Sequence, residues 1–163
     1  MKTFKTSLDL NAFLITIGVA LLFIMIIAVQ FSYWERSGTG KYFSIVLLSL
    51  IYILAYLFKP LNYKITNEEL IVHRLIKSIH IPRKNIVSAE SVDREMISYS
   101  LRTMGVGGLF GYYGRFMNYR IGNMIWYATR KDRTVLIRTI LDEKIILTPD
   151  EPEQFLAALN SYL

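Results

Sequence analysis

The chain contains no cysteine, only four prolines and only two histidines in 163 residues. Without cysteine there are no disulfide staples and no thiolate metal ligands. His73 and His80 stand in no His-x-x-x-His or Glu-x-x-His spacing, so no metal site is expected, and both read as partly exposed strand positions. No Gly-x-Ser-x-Gly elbow is present to raise a serine nucleophile. Glu90, Asp93 and Glu95 fall along one expected strand, where a short acidic row reads as solvated surface. No catalytic residue and no cofactor are therefore expected.

Charge is also missing, in two places. Residues 10–34 and 42–58 contain no Asp, Glu, Lys, Arg or His. A bilayer core of about 30 Å takes roughly 20 helical residues, so the first run spans it, and the second does so with Lys41 and Lys59 snorkelling at its ends. The first run is too long for a signal peptide and ends in "FSYWER" rather than in a small-x-small site. The expectation is a transmembrane hairpin with spans at about 11–34 and 42–58, joined by a turn at 35–41. Lys2, Lys5, Lys59 and Lys64 flank the shared end of that hairpin against Arg36 and Lys41 at the turn. The imbalance predicts a multi-pass protein of the inner (cytoplasmic) membrane with both termini in the cytoplasm. Neither span has an ionisable polar residue of the kind that marks membrane-embedded chemistry, which speaks against an enzyme acting on a membrane-embedded substrate.

From residue 59 onward fifteen Lys/Arg face eleven Asp/Glu, a surplus of four, with the acids interspersed. That distribution lacks the concentrated basic stripe of a nucleic-acid reader, so no nucleic-acid partner is expected. It is compatible with an anionic leaflet. After Pro60 continuous hydrophobicity gives way to alternation, and seven strands are expected: 61–66, 70–75, 77–82, 86–95, 123–130, 133–140 and 144–148. The ending "TPDEPEQFLAALNSYL" reads as a capping box with Pro149 in the first turn, opening an amphipathic helix whose stripe is Phe155, Leu156, Leu159 and Tyr162.

Between the fourth and fifth expected strands lies "MGVGGLFGYYGRFMN", residues 104–118, with five glycines, four aromatics and one arginine. Its spacing fails Gly-x-Gly-x-x-Gly, because Phe110 occupies the third slot, and it fails the P-loop, because no Gly-Lys-Ser/Thr follows. Two readings stay open. The rings fill a core or cover a sheet edge; or Phe110, Tyr112, Tyr113 and Phe116, with Arg102, Arg115 and Arg120, face a lipid or a partner.

The stretches "YKITNEELIVHRL" and "IHIPRKNIVSAESV" resemble the opening hairpin and the following strand turn of the bacterial pleckstrin-homology-like domains. "GLFGYYGRFMNYRIGNMIWYATR" with "ILTPDEPEQFLAAL" is similar to a membrane-anchored subgroup in which the domain follows two transmembrane helices. The resemblance covers roughly residues 59–163. It implies an α+β, mainly β fold: an anchor at 1–59, then at 60–163 a seven-stranded antiparallel curled sheet, a partly open barrel, capped by one C-terminal helix. It also implies a non-enzymatic binding module that assembles with a protein partner or with itself at the membrane, or else senses anionic headgroups through residues 102–120. Many eukaryotic members grip phosphoinositides with a basic first hairpin; here that turn is "TNEE", acidic and short, so the resemblance carries no such grip to this loop.

Overall fold

In the computed structural model, which describes residues 1–33 and 40–161, two apolar helices stand on a domain made of two sheets. Helix α1 (Leu10–Tyr33) starts at Asp9, whose Oδ1 accepts the Ala12 N–H at 2.7 Å and so caps one of the free amides of the first turn. Helix α2 (Gly40–Phe58) returns beside it, and the rings of Phe23 and Tyr52 meet edge to face at 6.3 Å. Most of the expected turn at 35–41 lies outside the described residues, and Gly40 opens α2. Of the two expected spans, Leu10–Ser32 is long and apolar enough to cross a membrane, while the apolar part of α2, Tyr42–Phe58, is shorter.

The smaller sheet has the order β1-β2-β3-β4, formed by β1 (Lys2–Lys5), β2 (Pro60–Ile65), β3 (Glu69–Arg74) and β4 (Ile79–Pro82). The larger comprises β5 (Ile86–Val92), β6 (Leu101–Gly107), β7 (Tyr112–Asn118), β8 (Gly122–Ala128), β9 (Thr134–Thr139) and β10 (Lys144–Leu147), in the order β5-β9-β10-β8-β7-β6. A short helix α3 (Arg94–Ile97) follows β5, and α4 (Pro152–Asn160) ends the chain.

Several sequence expectations are corrected. The single seven-stranded antiparallel sheet is ten strands in two sheets, and β10 runs parallel to β8. Three strands were missed. β1 is four residues long with one buried side chain, Phe4, too short for alternation to register. β6 and β7 form the glycine-aromatic segment, where glycine and exposure along β6 hide the period of two. The strand expected to reach residue 95 stops at Val92, and Asp93 precedes α3. The C-terminal helix starts at Pro152, which takes the first-turn place, with no side-chain cap. Thr148, expected to cap it, is instead buried: its Oγ1 accepts the Thr129 N–H at 3.0 Å and its own N–H donates to the Tyr63 hydroxyl at 3.1 Å. Tyr162 of the expected stripe lies outside the described residues.

At its centre, in β9 and β10, the larger sheet is buried on both faces, which explains the unbroken apolar runs there. Val135, Ile137, Ile145 and Leu147 face Tyr63, Ile65, Leu70 and Val72 of the smaller sheet, with Phe155 and Leu159 of α4 closing the layer. On the other face Leu136, Ile146, Met124 and Trp126 pack with Tyr112 and Phe116, and Ile97 of α3 and Ala12 of α1 join them. Arg83, within a 3-10 turn (Arg83–Asn85), is buried and donates to two carbonyls, Thr66 O at 3.0 Å and Leu159 O at the end of α4.

The two apolar helices are tied to this body at both attachments. β1 pairs antiparallel with β2 across the expected boundary at residue 59, with Phe4 opposite Tyr63. The link to α1 is stitched down: Thr6 Oγ1 donates to Thr148 O at 2.7 Å, Thr129 Oγ1 donates to Ser7 O at 2.7 Å, and Ser7 N–H and Oγ–H both donate to Asp150 Oδ1, at 3.0 and 2.6 Å. Only Lys59 separates α2 from β2.

Candidate functional site

The glycine-aromatic segment is a β-hairpin whose tip enters the angle between α1 and α2. At the tip, Gly108 N–H donates to Gly111 O at 2.8 Å, and the Phe110 N–H donates to Thr16 Oγ1 in α1 at 2.9 Å. Phe110 takes a positive φ of 57° and sets its ring edge to face against Tyr52 and Tyr56 of α2, at 4.8 and 5.3 Å. Lys59 Nζ lies over the Tyr56 ring at 5.0 Å and over Phe110 at 5.9 Å, and burial lowers its pKa. Two glycines allow the strands to come together. Gly105 and Gly114 face each other across the ladder, both at positive φ, and a Cβ on either would run into the opposite backbone.

Alternation along β7 divides the expected site residues between two faces. Tyr112 and Phe116 point into the core, Phe116 stacked on Trp126 at 4.5 Å between ring centroids. Burial first, then the neighbouring Asp9 carboxylate, pushes the Tyr112 hydroxyl up to about 12. Tyr113 and Arg115 point the other way. Tyr113 is buried against α2, where its hydroxyl donates to Ala55 O, and burial raises its pKa. Arg115 is exposed. Of the remaining two arginines, Arg102 lies along Gly107 on its own strand, and Arg120 sits in the β7–β8 turn, where its Nε donates to the Tyr119 hydroxyl at 2.6 Å. The structure thus gathers Phe110, Tyr113 and Arg115 beside α2, and leaves Arg102 and Arg120 outside that group.

Between α2 and the β6–β8 face lies a groove of about 760 Å³, walled by Ile51, Leu54 and Phe58 of α2 and floored by Val106, Tyr113 and Ile125. Its two charged lining residues are Arg74 and Arg115. The Arg74 guanidinium lies over the Phe58 and Tyr127 rings at 5.6 and 5.5 Å and donates from Nη2 to Lys77 O at 2.6 Å. Sequence reasoning missed Arg74; its place at the end of an ordinary strand carried no signal. Further from the helices, Tyr99, Leu101, Met104 and Tyr119 are 76%, 68%, 70% and 77% exposed around β6, the last strand of the larger sheet.

A family model decides the family: a model described as Bacterial PH domain matches residues 61–163. The chain belongs to the bacterial PH domain family. Comparison with curated proteins and with solved structures finds no match. The PH domain begins at the second strand of the smaller sheet, so β1 is an N-terminal addition to it from the far side of the helices. PH domains are in general binding modules. Among the described residues of this one no three His, Asp or Glu side chains converge as metal ligands. His80 Nδ1 pairs with Glu69 Oε2 at 2.9 Å on the exposed face of the β3–β4 pair, and His73 is half-buried in β3.

Proposed function

We propose that this chain is a two-span inner-membrane protein that presents its PH domain in the cytoplasm as a non-catalytic docking module for a protein partner or a second copy. Residues 1–59 serve as the anchor, with β1 lent to the domain, and residues 60–163 as the module. The observation that carries this reading is the seating of the hairpin tip between the helices, through Phe110 with Thr16, Tyr52 and Tyr56. It gives the domain one fixed attitude toward whatever the helices occupy. Along α1 and α2 most large apolar side chains are exposed, among them Leu14, Leu21, Ile24, Phe43, Val46 and Leu50. So large a continuous apolar surface is unlike that of a soluble monomer and suits hydrocarbon. At about 1.5 Å per residue the 24 residues of α1 and 19 of α2 reach roughly 36 and 28 Å, matching a core of about 30 Å. The cation imbalance favours the cytoplasm for both termini.

For docking, β6 offers a sheet edge with free backbone groups and the exposed Leu101 and Met104, a setting for an added partner strand. A second reading, sensing of anionic lipid, is favoured by Arg115 at the groove beside α2. The test of the anchoring exploits the lack of cysteine. Ser37→Cys, between the helices in sequence, and Glu153→Cys, on α4, are exposed separately to a membrane-impermeant maleimide on intact spheroplasts. The proposal expects labelling of the first and protection of the second, with the protein retained in membranes after carbonate extraction. The reverse pattern overturns the orientation, and release by carbonate overturns the anchor.

A further inference from the structure

We infer that the groove between α2 and the β6–β8 face holds one anionic phospholipid, an acyl chain lying along the sheet and its phosphate held by Arg115 and Arg74. This rests on the membrane placement proposed above. Three features of the groove point to the occupant. First, its wall is the outer side of α2: Ile51, Leu54 and Phe58 line the groove and are also exposed along the helix, so a chain in the surrounding hydrocarbon passes into it without crossing a polar barrier. Second, its floor is apolar and of the right size for one chain. The volume of about 760 Å³, lined by Val106, Tyr113 and Ile125, lies within the range of clefts that take a small ligand. Third, the charge is of one sign. Arg74 and Arg115 line the groove and no carboxylate does.

The two arginines divide the work. Arg74 is fixed, stacked on Phe58 and Tyr127 and bonded to Lys77 O, so it supplies a positioned positive charge at the end of α2. Arg115 is exposed, makes no ion pair among the described residues, and its fork is open to a phosphate. A zwitterionic headgroup brings its own cation toward Arg115 and loses part of the attraction; a phosphatidylglycerol headgroup does not. The hairpin tip, seated on both helices, keeps this site at the level where phosphates lie. A partner's polypeptide segment would need backbone hydrogen bonds that the apolar floor does not offer.

The experiment uses the full chain in nanodiscs of phosphatidylcholine and phosphatidylglycerol in equal parts, released into mild detergent and weighed by native mass spectrometry. The expected result is one retained lipid per chain, with phosphatidylglycerol retained over phosphatidylcholine in a ratio of about ten to one, the factor that one charge-assisted hydrogen bond confers. Arg115→Gln is expected to abolish the enrichment, Arg115→Lys to keep part of it, and Ile125→Trp, which fills the floor, to lose the retained lipid altogether. Arg120→Gln, at the other end of the hairpin, is expected to leave both unchanged. Equal retention of the two lipids by the unaltered chain overturns the inference, as does enrichment that survives both Arg115→Gln and Ile125→Trp, or a peptide mass in place of the lipid. Failure here leaves the protein in the carbonate-resistant fraction, whereas failure of the anchoring does not, so the two outcomes are distinct.

Discussion

The Phe110 amide donates to Thr16 Oγ1 across 94 residues of chain, at 2.9 Å, and this bond joins the tip of a β-hairpin to the second turn of an apolar helix. Thr16 Oγ–H in turn donates to Ala12 O at 2.7 Å, so the hydroxyl is used in both senses. At about 1.5 Å per residue Thr16 stands roughly 9 Å along α1 from Leu10. The tip therefore reaches well past the start of the helix.

Replacing Thr16 by valine keeps the shape and removes the acceptor. The stranded Phe110 N–H is expected to cost about 1–3 kcal/mol. Thermal unfolding in detergent should show the loss for Thr16→Val and near-recovery for Thr16→Ser, with proteolysis at the hairpin tip accelerated only in the valine variant.

Gly105 and Gly114 are expected to be irreplaceable. Each has positive φ, 112° and 123°, and a Cβ on either meets the partner strand's backbone, which cannot move aside as a side chain can. Gly114→Ala is expected to cost more than the roughly 1–3 kcal/mol of backbone strain alone and to release β6 from the sheet. Gly107→Ala is the control, since its new methyl meets only the flexible Arg102 side chain. Hydrogen exchange of the hairpin amides should separate the two variants.

Alkaline stability should report the Tyr112 environment. Its hydroxyl is held up to about 12 from an ordinary 10, first by burial and then by Asp9. The proton is bound more tightly in the folded state, so this stabilisation is complete below about pH 10 and disappears as pH rises through about 12. The Tyr112→Phe variant is expected to keep its fold to higher pH than the parent, read by circular dichroism. Asp9→Asn should lower one of the late tyrosinate steps at 295 nm, the one that Tyr112→Phe removes, while burial keeps it above 10.

Arg83 should carry the attachment of α4. Its guanidinium donates to Thr66 O and to Leu159 O in the last turn of that helix, where a cation also suits the helix dipole. Arg83→Met is expected to cost about 2–3 kcal/mol, read as a lower urea midpoint with unchanged slope.

Much of the domain was legible from its sequence because periodicity survives wherever one face is buried. "YKITNEELIVHRL" reads as the β2–β3 hairpin, and Thr66, before the turn, accepts the Glu69 N–H at 3.0 Å as a turn residue should. The apolar runs of α1 and α2 are equally plain. What stayed hidden was hidden for particular reasons. β6 is exposed along nearly its whole length, so no face of it alternates. β1 is separated from its partner β2 by both helices, a pairing no local pattern encodes. Thr148 looked like a cap because Thr-x-x-Glu is a local signal, but Tyr63 in β2 and Thr129 just past β8 compete for it and win. The rings of residues 110–116 could be read as core or as contact surface, and the hairpin uses them as both: Tyr112 and Phe116 inward, Phe110 and Tyr113 toward the helices.

The most direct test of the central claim, that the hairpin tip sits within the interfacial layer of a bilayer crossed by α1 and α2, is a nitroxide on Leu109→Cys in the full chain reconstituted in nanodiscs. Its collision rates with oxygen, which concentrates in lipid, and with a water-soluble nickel chelate give its depth, with Tyr119→Cys at the opposite end of the hairpin as the aqueous reference. The account predicts that oxygen dominates at residue 109 and nickel at residue 119. Nickel dominating at both positions would contradict it.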